Sequence, residues 1–119
     1  MKDIEIFEYS GDGYKGIVNF ESWRIAIANY AERFDKKNIK SLSRHLLTDE
    51  AFILLNGSAT LGIGEECAEV PMEPYKIYNV KKGAWHAIWM SEDAKVLIVE
   101  NDNTNETNTE YMDIDRKAR

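Results

Sequence analysis

The chain has 119 residues, enough for one hydrophobic core but not two, so it reads as a single domain over 1–119. Its formal charge of −6 offers no basic face to nucleic acid, and no apolar stretch approaches the ~20 residues that span a bilayer. The N-terminal MKDIEIFEYS carries charges throughout and lacks a signal-peptide core, which points to the cytoplasm, and the single cysteine, Cys67, excludes an internal disulfide or a Cys-based zinc cluster.

Strand signals dominate from the start. KDIEIFE (2–8) alternates Ile4 and Ile6 with charged neighbours and predicts a half-buried strand. WRIAIANY (23–30) sets Trp23, Ile25 and Ile27 on one face against Arg24, Ala26 and Ala28 on the other. ANYAERFDKKNIKSL has too poor an apolar stripe for a helix and reads as a strand end followed by a long charged loop. AFILL, SATLGIG, YKIYNV, WHAIWM and AKVLIVE follow, each rich in β-branched or aromatic residues, with Gly, Pro, Asn and Asp between them. Asn56-Gly57, between two apolar runs, predicts a hairpin because both residues tolerate positive φ. Within the polar tail 103–119, TEYMDI predicts a short edge strand. About ten short strands at this spacing make an all-β sandwich or barrel, with its core over about 20–102 and N-terminal strands over 1–19.

Two of these strands, AFILL and KVLIV, are apolar on both faces. A small antiparallel barrel buries only the inner face, so the outer one predicts a covering subunit and hence a homodimer. Trp85 and Trp89, opposite His86 on their strand, point the same way.

Three polar residues interrupt this pattern. Glu50 heads the run Ala51–Leu55, where an unpaired carboxylate is expensive to bury. His45 lies five positions earlier and shares a face with Ser43; His86 shares one with Ile88 and Met90, and Glu50 one with Phe52 and Leu54. If these faces enter one barrel, two imidazoles and a carboxylate converge in a cavity lined by Ser43, Phe52, Ile88 and Met90. Such a set suits Fe(II), Mn, Ni or Zn. Arg24 is a weaker candidate, as an anchor for an anion. Thr48 and Asp49 fit a turn, and Tyr75, Tyr78, Trp23 and Trp85 are weaker pocket candidates still.

The spacing of these residues resembles the cupins. The first motif of that family has two histidines one residue apart, then three or four residues, a glutamate, six residues and a glycine. His45, Glu50 and Gly57 keep its second half. Gly83-Ala-Trp-His86 keeps the Gly-x-x-His core of the second motif. The departures are Lys37 for a glycine, Ser43 for the first histidine, Lys81 for a proline and Met90 for an asparagine. The resemblance implies a double-stranded β-helix, or jelly-roll barrel, and a divalent metal held by His45, Glu50 and His86, one ligand short of the usual four. It also implies a small organic acid or sugar derivative as ligand or substrate, on which the metal polarises a carbonyl or carboxylate or activates oxygen. The alternative is a metal-free cupin that binds a small ligand without turnover.

Overall fold

The computed structural model describes residues 2–114. Ten strands form in chain order: β1 (Tyr14–Phe20), β2 (Trp23–Asn29), β3 (Ser41–His45), β4 (Glu50–Asn56), β5 (Ala59–Ile63), β6 (Ala68–Pro71), β7 (Tyr78–Val80), β8 (His86–Met90), β9 (Lys95–Asn101) and β10 (Thr109–Asp113). They pair into two five-stranded antiparallel sheets, β1-β2-β9-β4-β7 and β10-β3-β8-β5-β6. The charged segment between β2 and β3 contributes two 3-10 turns, Glu32–Phe34 and Lys36–Asn38, and no α-helix. Among the described residues no helix is long and apolar enough to cross a membrane.

Period-two alternation decides what faces the space between the sheets. On β2 it sends Ala26 and Ala28 inward, on β4 Phe52 and Leu54, on β9 Val96 and Ile98. Leu61, Val80 and Met90 join them in one core. The small side chains of β2 let the larger Phe52 and Ile98 fill the centre without overpacking.

Three expectations are corrected. Residues 4–10 form no strand: they run without regular structure, with Ile4, Ile6 and Phe7 exposed. This arm is tied down near its end, where the Asn29 and Lys95 side chains donate to the Tyr9 carbonyl. The first strand is instead β1, whose Gly16 and neighbouring bulge against β2 blur its alternation. Second, Asn56-Gly57 closes no hairpin. Its flanking strands, β4 and β5, belong to different sheets, so this turn is a corner between them. Gly57 does take a positive φ of 69°, and a Cβ there would lie 2.7 Å from the Ala94 Cα. Third, Trp89 is buried and Lys36 sits over its ring, while Arg44 stacks on the half-buried Trp85, so their own chain covers Trp89 and part of Trp85.

The edge strand predicted in TEYMDI is β10, paired with β3.

Candidate functional site

At one end of the space between the sheets the inward rows turn polar. Ile25 pairs with Val99 and Val99 with Ala51 across β2, β9 and β4, and Arg24 pairs with Glu100. Continuing that register one step sets Glu50 level with Glu100. Arg24, Glu100 and Glu50 therefore form one row, just beyond Ala26, Ile98 and Phe52. The facing sheet brings His45 from the end of β3 and His86 from the start of β8, where Ser43 pairs with His86.

The geometry is tight. Glu50, 6% exposed, has its Oε1 2.9 Å from His86 Nε2 and 3.1 Å from His45 Nε2. The two imidazole centroids are 5.3 Å apart, and Phe52 makes a T-shaped contact with His86.

The other ring nitrogens fix the tautomers. His86 Nδ1 lies 3.1 Å from the Ala84 carbonyl, which only accepts, so Nδ1 carries a proton. His45 Nδ1 lies 3.0 Å from the Thr109 hydroxyl, whose own proton goes to the Asn105 carbonyl, so that nitrogen also donates. A neutral imidazole at either position then presents a bare Nε2 lone pair to the Glu50 carboxylate. Three lone pairs this close repel one another unless a positive charge joins them. A proton does so by making an imidazolium; a metal cation does so without one.

The electrostatics describe the protonated version. Burial pushes the Glu50 carboxyl up, but hydrogen bonds from His45 and His86 outweigh it and hold the group at about 2. Burial lowers the basicity of His45, yet its hydrogen bond to Glu50 and the charges of Glu50 and Glu100 leave its pKa raised.

The donor set fits a divalent metal. Donors about 2.1 Å from one ion lie about 3 Å apart when adjacent, and both nitrogen–oxygen distances match. Among the described residues, His45, Glu50 and His86 form a group of side chains whose donor atoms all fall within 4.8 Å of one another. Each histidine is oriented through its second nitrogen, as metal-ligating imidazoles are.

A cleft of about 550 Å³ leads to this cluster. Ser43, Phe52 and Ile88 stand on its wall, as does Ile98. Met90 does not: it packs in the core, because β8 descends away from the opening within two residues of Ile88. Arg33, Lys40 and Asn105 bring polar groups to the lining.

Sequence reasoning missed Glu100 and Tyr14, and left the direction of Arg24 open. Glu100 is 6% exposed, and its Oε1 accepts from Arg24 Nη2 at 2.6 Å and from the Tyr14 hydroxyl at 2.9 Å. Burial, then the charge of Glu50, raises its pKa. Glu100 shares the inward face of β9 with Val96 and Ile98; alternation gives that face, but not that the strand's last carboxylate stays buried.

The weaker candidates lie elsewhere. Thr48 and Asp49 brace a turn: Thr48 accepts from the Asn101 amide and Asp49 from the Lys82 amide. Tyr75 is fully solvated, Trp23 faces outward, and Tyr78 packs against the core.

No family model and no curated protein matches this sequence. Solved structures do match in shape. A variant of Streptomyces Pac13 with uridine superposes with a TM-score of 0.68 at 7% identity, covering 98% of each chain. Pac13 itself is described as a nucleoside dehydratase. A cupin-2 domain protein from Shewanella frigidimarina gives a TM-score of 0.60 at 17% identity, covering 78% of this chain and 84% of its own. KdgF from Halomonas gives 0.57 at 11%, covering 79% and 81%. With its two antiparallel sheets, this chain is a small cupin-fold domain, a double-stranded β-helix of jelly-roll type.

Proposed function

We propose that this cupin-fold protein holds one divalent cation (Zn, Ni, Mn or Fe) on His45, Glu50 and His86 and uses it to bind, and act on, a small organic acid or sugar derivative. The observation that carries this reading is the pair of locked tautomers, which aims two Nε2 lone pairs at one buried carboxylate. A cation bound there supplies Lewis-acid polarisation of a carbonyl or carboxylate oxygen.

The chain's own residues do the rest. The Ala84 carbonyl and the Thr109 hydroxyl keep the rings in the ligating orientation. Phe52, Ile88 and Ile98 form an apolar floor that limits water around the cluster. Arg33 and Lys40 on the cleft wall attract an anionic group, and the volume suits a molecule of sugar or nucleoside size. Charge favours the same class. One divalent cation and Arg24 against Glu50 and Glu100 leave a single positive charge for the ligand to neutralise.

The test is metal content. Protein purified without chelator or metal-affinity tag should hold, or take up, about one divalent ion per chain, and His86→Ala should abolish uptake. Absence of uptake with each of the four ions would leave the metal-free, ligand-binding alternative. Full retention in His86→Ala would place the ligands elsewhere.

We also propose a homodimer formed through the outer face of β2, β9 and β4. In register across these strands run two uncharged rows, Ile25–Val99–Ala51 and Ile27–Leu97–Ile53, bordered by the exposed Trp23 and Leu55. The N-terminal arm leaves the edge of the same face, with Phe7 beside Ile17 and Ile27. A second copy is the occupant that covers both the face and the arm by one two-fold operation, and it lets two acidic chains meet over uncharged surface. Cytoplasmic residence and a lack of nucleic-acid or membrane partners fit this charge and remain part of the proposal.

A further inference from the structure

The metal centre proposed above has three protein donors. We infer that Glu100 is the fourth, its Oε2 serving the cation in place of the imidazole that Ser43 lacks.

The two oxygens of Glu100 are used unequally. Arg24 and Tyr14 both donate to Oε1, at 2.6 and 2.9 Å. Oε2 is buried and finds no hydrogen-bond partner among the described residues. A buried carboxylate oxygen without a partner calls for an ion, a water or a ligand at that point. This one is turned toward the candidate metal centre, 3.9 Å from His45 Nε2. Donors about 2.1 Å from one ion are about 3 Å apart when adjacent and about 4.2 Å when opposite, so the spacing to His45 suits one shell. Glu100 lies outside the group of His45, Glu50 and His86, whose donors are all within 4.8 Å of one another, and its carboxylate must shift inward to join them.

Charge leads to the same place. Glu50 and Glu100 stand level on adjacent strands, where like charges are unfavourable; His45 and His86 face Glu50, and Arg24 pairs with Glu100. A divalent ion shared between the two carboxylates converts that repulsion into attraction. Arg24 and Tyr14 are then positioning residues: by occupying Oε1 they fix which oxygen is free and where it points. A purely structural Arg24–Glu100 ion pair accounts for Oε1 and leaves Oε2 without a hydrogen-bond partner.

The inference rests on the three-donor reading, and one experiment separates the two. The full-length parent, Glu100→Gln and His86→Ala are titrated with Co(II) and Zn(II) by calorimetry, and the visible spectrum of each Co(II) form is recorded. Glu100→Gln should keep about one site per chain, weaken it about 10- to 100-fold, and change the Co(II) spectrum because a donor is exchanged. Parental affinity and an unchanged spectrum in Glu100→Gln, with binding lost in His86→Ala, would overturn the role of Glu100 alone. No binding by the parent would overturn both readings. If Glu100→Gln fails to fold, Glu100→Asp keeps the charge opposite Arg24 while drawing the free oxygen back. It should weaken Co(II) binding and alter the spectrum, and parental behaviour in that variant would equally refute the fourth donor.

Discussion

Replacing Glu50 by Gln in metal-free protein tests whether one positive charge holds the cluster together. In the folded state the carboxyl sits at about 2 instead of 4.5. A depressed carboxyl contributes stability that is complete above its unfolded value and is lost as pH falls toward the folded one. Fully expressed, this shift amounts to about 3 kcal/mol. Two effects oppose it in the variant. Loss of the Glu50 charge relieves Glu100, whose own pKa that charge helps to raise, and glutamine still accepts one hydrogen bond. The net loss expected for Glu50→Gln is therefore about 1–2 kcal/mol in the pH range where the ion pair is whole.

The pH dependence carries the sharper claim. On the acid side the difference between parent and variant should shrink between 4.5 and about 2, as Glu50 takes up a proton. The alkaline limb belongs to His45. Its folded pKa is raised above 6.5, so its contribution is complete below that value and is lost as pH rises through the folded one. Urea unfolding of both proteins with chelator present, at pH about 3, 5.5 and 8, measures the two limbs. The difference should be largest at the middle pH. A difference that stays constant across the three would refute the ion pair and assign the effect of Glu50 to packing.

Two further expectations follow from the scaffold. Light scattering at micromolar concentration should give twice the mass of a single chain, and Leu97→Glu, which places a charge in the middle of the uncharged outer face, should halve it; a parent of single-chain mass would remove the dimer and leave the outer face to another cover. Gly57→Ala should cost about 2–4 kcal/mol by urea unfolding, because a positive φ and contact with the Ala94 backbone act together, while metal affinity per folded molecule stays unchanged.

What the sequence disclosed was local. The faces of WRIAIAN, AFILL and KVLIV follow from alternation, and that is why Glu50, Phe52 and Leu54 could be assigned one row without coordinates. Pairing was not legible. KDIEIFE has the pattern of a strand, yet a strand exists only where a neighbouring strand takes its backbone hydrogen bonds, and among the described residues no strand pairs with residues 4–10. YKGIVNF, with a glycine and a bulge, looks poorer and is a strand because β2 lies beside it. Asn56-Gly57 announced its positive φ but not which sheet the chain enters next, since that depends on contacts with β7, β8 and β9 far along the sequence. Met90 fails for a related reason: a shared face fixes direction, whereas depth below the opening depends on where the strand starts.

Glu100 shows the limit from the other side. VLIVE reads as a buried strand that ends in a solvated carboxylate, the ordinary fate of a glutamate. Only when β9 is placed between β2 and β4 does the residue fall level with Arg24 and Glu50. The same register that builds an apolar row from Ala26, Ile98 and Phe52 then builds a charged row one step further on. Stability does not account for that step, because well-packed apolar residues often serve a core as well as buried ion pairs do. Nor does solvation: Glu50 and Glu100 are each 6% exposed and His86 is 5% exposed. What the row achieves is a fixed arrangement of lone pairs and charge, with Ala84 and Thr109 orienting the rings and Tyr14 and Arg24 orienting the second carboxylate. Each of these supporting bonds leaves a donor atom facing inward, toward the others. A set of groups arranged this way, with their outward valences already spent, could hold a positive charge at their centre, either a proton or a cation.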